Sequence, residues 1–165
     1  MALLATYGTL NKILAQKPKE LVQKVADNAI YLTPGILVDY NNGSYPMFFA
    51  QRQLINLLKA VRQEFKPSLE QFLKYLLGNA DIGYLKVKVW QINDDALWDD
   101  LDSYEGYMYV RCKNEQFLDL DTGQELRANI YLPMIVDITD GVYTPVKAKR
   151  LEQYANIPLL IWEEV

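Results

Sequence analysis

Segments with the pattern of a strand and segments with the pattern of a helix are mixed along this chain without strict βαβ alternation. The apolar stretch Ala2–Thr6 ends before Gly8 and predicts a strand, with Thr9 opening a turn or short helix through Leu14. Residues 36–40 and 45–49 flank Asn-Asn-Gly-Ser, a turn that supplies positive φ, and predict a hairpin. The mixture predicts an α+β fold.

Helical spacing of apolar residues dominates the middle of the chain. Leu54, Leu58, Val61 and Phe65 recur every three or four positions, and the pattern resumes after Pro67. Two helices joined at Lys66-Pro67 are therefore predicted within residues 51–83. A weaker helical pattern covers residues 17–28.

The second half of the chain has strand patterns on both sides of one short helix. Strands are predicted over residues 84–92, 107–120 and 125–132, the last two joined at Asp121-Thr122-Gly123. A helix is predicted over residues 94–104, with Gly106 as its C-terminal stop. A short helix near residues 147–154 and an apolar tail over residues 157–162 complete a single predicted domain, residues 1–165.

Charge and cysteine content exclude several classes of protein. The net charge is -4 and the sequence pI is about 4.9, whereas binding to nucleic acid or to an anionic membrane requires a basic surface. The lysines and arginines are dispersed along the chain. One cysteine, Cys112, cannot form an intramolecular disulfide. We expect a cytoplasmic protein that binds neither nucleic acid nor membrane.

The chain contains no histidine, which restricts its chemistry. Ser-His-Asp and Cys-His catalysis are excluded, as are zinc sites built on histidine. Any proton transfer must use Asp, Glu, Lys, Tyr or Cys.

Two short motifs resemble the signatures of the γ-glutamylcyclotransferase-like family. The first is Tyr7-Gly8-Thr9-Leu10, directly after the opening strand, and the second is Leu101-Asp102-Ser103-Tyr104-Glu105-Gly106, followed by Tyr109 and Arg111. Residues 35–46, 87–94 and 128–132 resemble the elements around these motifs in the family. The resemblance implies a closed or nearly closed β-barrel of about five or six strands with flanking helices and a pocket at one end. Residues 51–83 would be a helical insertion into it.

The resemblance also implies an activity, the release of 5-oxoproline from a γ-glutamyl amine or peptide. In that reaction the α-amine of the substrate attacks its own γ-carbonyl, so the protein supplies no nucleophile. The resemblance implies no metal or organic cofactor, and the partner is a small-molecule γ-glutamyl substrate. We expect a monomer or a homodimer.

Family positions assign roles to seven residues. Glu105 is the expected acid/base, partly buried so that its pKa rises toward neutrality, with Asp99, Asp100 and Asp102 shifting the pKa in the same direction. The remaining six are expected to bind substrate: Tyr7, Gly8, Thr9, Leu10, Tyr109 and Tyr131. In the first four, a glycine-containing loop would present backbone N–H groups to the α-carboxylate or the developing oxyanion.

Two alternatives remain open at this stage. One is another γ-glutamyl transfer or removal step at the same site. The other is a non-catalytic module in which the same barrel binds a small ligand or a protein, since a fold does not fix a function. A pocket-facing, desolvated Glu105 carboxylate near free backbone N–H groups would favour the enzyme. A solvated carboxylate, or a pocket filled by Phe65, Phe72 or Trp98, would favour the binding module.

Overall fold

A computed structural model describes most of the chain, namely residues 2–7, 10–26, 29–40, 45–63, 70–71, 73–74, 77, 81–106, 109–133, 143–145 and 159–160. The elements within these residues are β1 (Ala2–Thr6), α1 (Leu10–Ala15), β2 (Val22–Lys24), β3 (Tyr31–Tyr40), β4 (Tyr45–Ala50), α2 (Gln51–Gln63), β5 (Asp81–Ile92), α3 (Ala96–Glu105), β6 (Tyr109–Asp119), β7 (Glu125–Pro133), β8 (Tyr143–Pro145) and β9 (Leu159–Leu160).

Five strands pair in a closed cycle, β5–β1–β7–β6–β3 and back to β5, which forms a five-stranded barrel. The opening strand β1 pairs antiparallel with β5, from Ala2 opposite Ile92 to Thr6 opposite Lys88. Its other edge pairs in parallel with β7, where Ala5 lies opposite Ile130. Of the additional strands, β2 pairs with β5 and β4 pairs with β3. This arrangement confirms the predicted α+β fold with a small barrel.

The described residues group into two compact units. The first contains the residues up to Thr33 and those from Lys86 to Leu132. Its core is built from one apolar cluster in which β1, α1, β2, β5, α3 and β7 each bury side chains: Leu4, Leu10, Leu14, Val22, Trp90, Ile92, Leu97, Trp98, Leu101 and Tyr131. All of the candidate site residues discussed below belong to this unit.

The second unit contains the β3–β4 hairpin and helix α2. The hairpin register places Gly35 opposite Ala50, and a Cβ atom at Gly35 would lie 2.2 Å from the Phe49 carbonyl oxygen. Only glycine fits there without displacing backbone. Helix α2 packs on β4 and buries Leu54 and Leu57. The predicted hairpin strands and first helix are therefore confirmed, while the turn at residues 41–44 lies outside the described residues.

The helix predicted over residues 17–28 is wrong. After Pro18 the chain makes a single turn, in which Val22 N–H donates to the Pro18 carbonyl at 3.2 Å, and then enters β2. Val22 pairs opposite Ile92 and is 3% exposed. The edge of β5 supplies backbone hydrogen bonds that outweigh a helical preference resting on three apolar residues. Of the predicted second helix, residues 70–71, 73–74 and 77 are helical, and the predicted helix near residues 147–154 lies outside the described residues.

The predicted turn after β6 and the predicted end of α3 at Gly106 are both confirmed. The Asp119 carboxylate accepts hydrogen bonds from the backbone N–H groups of Asp121 and Thr122, and Gly123 has a φ of 70°. This segment is therefore a hairpin turn. Gly106 ends α3 with a φ of 71°, in the left-handed region that favours glycine. Within the part of the chain that the structure describes, no helix is long and apolar enough to cross a membrane.

Candidate active site

Two hydrogen bonds form a relay from β5 through the end of β1 to the first turn of α1. The Trp90 indole Nε1–H donates to Thr6 Oγ1 at 2.8 Å, and the Thr6 hydroxyl donates to Asn11 Oδ1. Thr6 is the last residue of β1 and is 1% exposed, while Asn11 lies in the first turn of α1. The relay therefore joins β1 to α1.

Of the four motif residues 7–10, the structure describes Tyr7, which follows β1, and Leu10, which begins α1. Tyr7 is half-buried, whereas Leu10 is 4% exposed and packs in the core of the first unit. Any contribution of Leu10 to a ligand must therefore come from its backbone. Gly8 and Thr9 lie outside the described residues.

Glu105 is the last residue of α3. The helix forms because Leu97, Trp98 and Leu101 bury one face in the core, and Ala96 N–H donates to the Asp94 carboxylate at its start. Burial raises the pKa of Glu105 from its ordinary value of 4.5 to about 7. Because the neutral and charged forms of this carboxyl group lie close in free energy near pH 7, it can both accept and return a proton.

Burial alone is the cause of this pKa shift. The expectation that other acidic residues of the helix contribute is not supported, because Asp99 and Asp100 are exposed. Charges in water are strongly screened, so these two residues act weakly on a buried group.

The third acidic residue, Asp102, has a different role from the one expected. It lies one helical turn before Glu105 and accepts a 2.5 Å hydrogen bond from the Tyr131 hydroxyl at Oδ1. Its Oδ2 lies 3.6 Å from Arg111 Nη2. The Arg111 guanidinium lies over the Trp98 ring, 4.6 Å from its centroid. Asp102 thus ties α3 to both β7 and β6.

Tyr131 remains a neutral hydrogen-bond donor in this network. Its pKa is raised first by burial, then by the hydrogen bond to Asp102 and by the charges of Asp102 and Glu105, while the charge of Arg111 lowers it. Since the charge on Glu105 is felt at Tyr131, these two predicted site residues lie in the same electrostatic environment. Tyr109 is half-buried at the start of β6 and packs against the cluster that contains Tyr131.

The structure therefore brings Glu105, Tyr109 and Tyr131 into one region of the first unit. Sequence reasoning assigned no role to Asp102 as an anchor for Tyr131, nor to the stack of Arg111 on Trp98. The sequence did single out Asp102, because it is the aspartate of the Leu-Asp-x-x-Glu-Gly motif. Among the described residues, no three Cys, Asp or Glu side chains lie close enough together to hold a metal ion.

Comparisons with protein-family models, with curated protein sequences and with solved structures found no match to this chain.

Proposed function

We propose that this protein releases 5-oxoproline from a γ-glutamyl amine or peptide, with Glu105 as the acid/base. The observation that carries the proposal is the half-buried Glu105, whose carboxyl pKa desolvation raises to about 7, at the position where the motif Leu-Asp-x-x-Glu-Gly requires it. An ordinary exposed glutamate at a helix end has no reason to be desolvated.

The reaction needs one proton acceptor that later becomes a donor. The α-amine nitrogen of the substrate forms a bond to its own γ-carbonyl carbon, and the bond from that carbon to the attached amine breaks. The Glu105 carboxylate takes the proton from the attacking nitrogen and returns it to the leaving nitrogen. The attacking nucleophile is tethered to the carbonyl, so much of the entropic barrier is already removed.

The surrounding residues support these proton transfers by position. Asp102 anchors the last turns of α3 through Tyr131 and Arg111, which fixes the approach of Glu105. The Trp90–Thr6–Asn11 relay joins the end of β1 to the first turn of α1. We propose that backbone N–H groups of the motif at residues 7–10 bind the substrate carboxylate or the oxyanion. We place this activity in the cytoplasm, where γ-glutamyl metabolites are met.

The test measures 5-oxoproline release from γ-glutamyl dipeptides, γ-glutamyl amines and glutathione. Glu105→Gln keeps the size of the side chain and removes its proton transfer, so release is expected to fall by at least about a hundredfold. Asp99→Asn is the matched control, because it neutralises an exposed carboxylate on the same helix and is expected to leave release within about twofold.

Three outcomes separate the alternatives. Release that Glu105→Gln abolishes and Asp99→Asn preserves supports the proposal, and the best substrate defines its specificity. Release that survives Glu105→Gln contradicts the assigned role. No release from any panel member by folded protein contradicts the proposed substrates and favours a ligand-binding role for the barrel.

A further inference from the structure

A cleft with a basic lining lies on the first unit. It has a volume of about 420 Å³ and is lined by polar and cationic side chains from β6, β7 and α3, principally Trp98, Arg111, Lys113, Asn114, Arg127 and Asn129. Glu105 and Tyr131 are not among its lining residues. The volume is in the range of sites for small molecules.

Three of the lining residues are cations and none is a carboxylate, in a chain whose net charge is -4. Arg111 and Lys113 come from one strand and Arg127 comes from another. The Asp102 carboxylate, 3.6 Å from Arg111, offsets part of the repulsion among these three cations. The repulsion that remains raises the free energy of the empty cleft, and a bound anion would relieve it.

Two of the three cationic groups, those of Arg111 and Arg127, make contacts to the surrounding protein. Arg127 Nη1–H donates to the Asn114 carbonyl oxygen at 3.0 Å. The Arg111 guanidinium carbon lies 4.6 Å from the centroid of the Trp98 ring. Asn129 Nδ2–H donates to the Leu3 carbonyl oxygen at 2.9 Å. Because these side chains are already ordered, binding would cost less conformational entropy than at flexible surface lysines.

The backbone of β6 is irregular at this cleft. Asn114 has a φ of 59°, which places a non-glycine residue in the left-handed region in the middle of a strand. Asn114 and its neighbour Lys113 both line the cleft. Such irregularities in strands are frequent beside binding sites.

We propose that this cleft binds a small molecule through a phosphate group. The planar guanidinium groups of arginine match the oxygen atoms of a phosphate, and a third cation from Lys113 suits a dianion better than a single carboxylate. The inference rests on the cleft alone. It holds whether or not the activity proposed for Glu105 is correct.

Calorimetric titration of the full-length protein with pyrophosphate tests this inference. Inorganic phosphate and citrate are titrated in parallel, all at ionic strength matched with sodium chloride, since salt screens exposed charges. We expect saturable binding of pyrophosphate with a dissociation constant below about 1 mM, and weaker binding of citrate. Arg127→Gln is expected to weaken pyrophosphate binding by about tenfold or more, because it removes a charge-assisted contact.

The control variant is Lys88→Gln, which removes one exposed positive charge from β5, opposite Thr6 of β1. Its binding should stay within about twofold of the unmodified protein. Lys113→Gln provides a second cleft variant at an exposed side chain, should Arg127→Gln unfold the protein.

Equal loss of binding in Lys88→Gln and in the cleft variants would overturn the inference, because it would indicate a general charge effect. Binding weaker than about 1 mM for pyrophosphate would also overturn it. Citrate binding as tight as pyrophosphate would overturn the phosphate assignment and favour carboxylate ligands instead.

Discussion

The Tyr131 hydroxyl donates a 2.5 Å hydrogen bond to one oxygen of Asp102, and the other oxygen of the same carboxylate lies 3.6 Å from Arg111. A strand residue with a buried ring thus restrains a helix residue one turn before Glu105. The geometry at Glu105 therefore depends on contacts that Glu105 does not make itself. Several expected outcomes follow from this and from the other contacts of the first unit.

Replacing Tyr131 with Phe should lower the free energy of unfolding by about 1.5–3 kcal/mol, because it removes a hydrogen bond to a charged group while keeping the buried ring. Chemical denaturation measures this loss. Asp102→Asn and the double variant complete a double-mutant cycle, in which the two losses should add to more than the loss in the double variant. Strictly additive losses would contradict a direct interaction between the two side chains.

The stability of the protein should depend on pH through Glu105. Its pKa is about 7 in the folded chain against an ordinary value of 4.5, so the fold favours the neutral acid. This contribution is fully present below about pH 4.5 and is lost as the pH rises through about 7. Glu105→Gln, which is always neutral, should therefore be more stable than the unmodified protein at pH 8 by up to about 3 kcal/mol, with little difference at pH 4.5.

Chemical denaturation at several pH values measures this difference. Asp99→Asn should not reproduce the pH-dependent gain, because the Asp99 side chain is exposed. An equal gain at both pH values would assign the effect to packing of the glutamine rather than to titration of Glu105.

Under the proposed function, kcat/KM, which reports the pKa values of the free protein and the free substrate, should rise by at least about tenfold between pH 6 and pH 8. Glu105 must be deprotonated to accept the amine proton, and a pKa of about 7 places that change within this interval. Deprotonation of the substrate amine, with a reference pKa of about 7.7–8.0, acts in the same direction. A rate that falls over this interval would indicate that the essential form of Glu105 is the acid.

Removing the Thr6 hydroxyl should destabilise the contacts that join β1 to β5 and α1. Thr6→Val keeps the shape of the side chain but leaves the buried Trp90 N–H without its acceptor, at a cost of about 1–3 kcal/mol. Thr6→Ser retains the hydroxyl and should lose less. Thermal unfolding compares the two variants, and a larger loss in Thr6→Ser would indicate that the methyl group, not the relay, determines stability at this position.

The left-handed backbone at Asn114 should reject a β-branched residue. Asn114→Val is expected to cost about 1–2 kcal/mol, whereas Asn114→Gly should be close to neutral because glycine adopts this conformation without strain. Denaturation of both variants measures the difference. If valine were tolerated as well as glycine, the backbone would have to relax toward a regular strand and the cleft would lose one of its lining positions.

Much of the fold could be predicted because local patterns carried it. The apolar run Ala2–Thr6, the two strands joined at Asp121–Gly123 and the glycine that ends α3 all depend on neighbours close in the sequence. Residues 17–28 could not be predicted in the same way. Val22 becomes a strand residue because β5 lies beside it, and that partner is some seventy positions away.

In the candidate site too, features set by nearby residues could be predicted and features set by distant contacts could not. Glu105 could be found from its motif, and its burial was expected. The cause of its pKa shift was only partly foreseen, because exposure of Asp99 and Asp100 is a property of helix orientation. The basic cleft was missed because Arg111, Lys113 and Arg127 look dispersed in the sequence, and only the folded strands gather their side chains around one cavity.

Strand β1 makes its hydrogen bonds with residues far along the chain. Thr6 receives its hydrogen bond from Trp90, 84 positions later, and the Leu3 carbonyl receives one from Asn129, 126 positions later. During synthesis β1 therefore leaves the ribosome well before its parallel partner β7, and its edge stays unpaired until β7 has been made. Contacts this distant in the sequence slow folding, because the entropy of a long loop is lost before the contacts form.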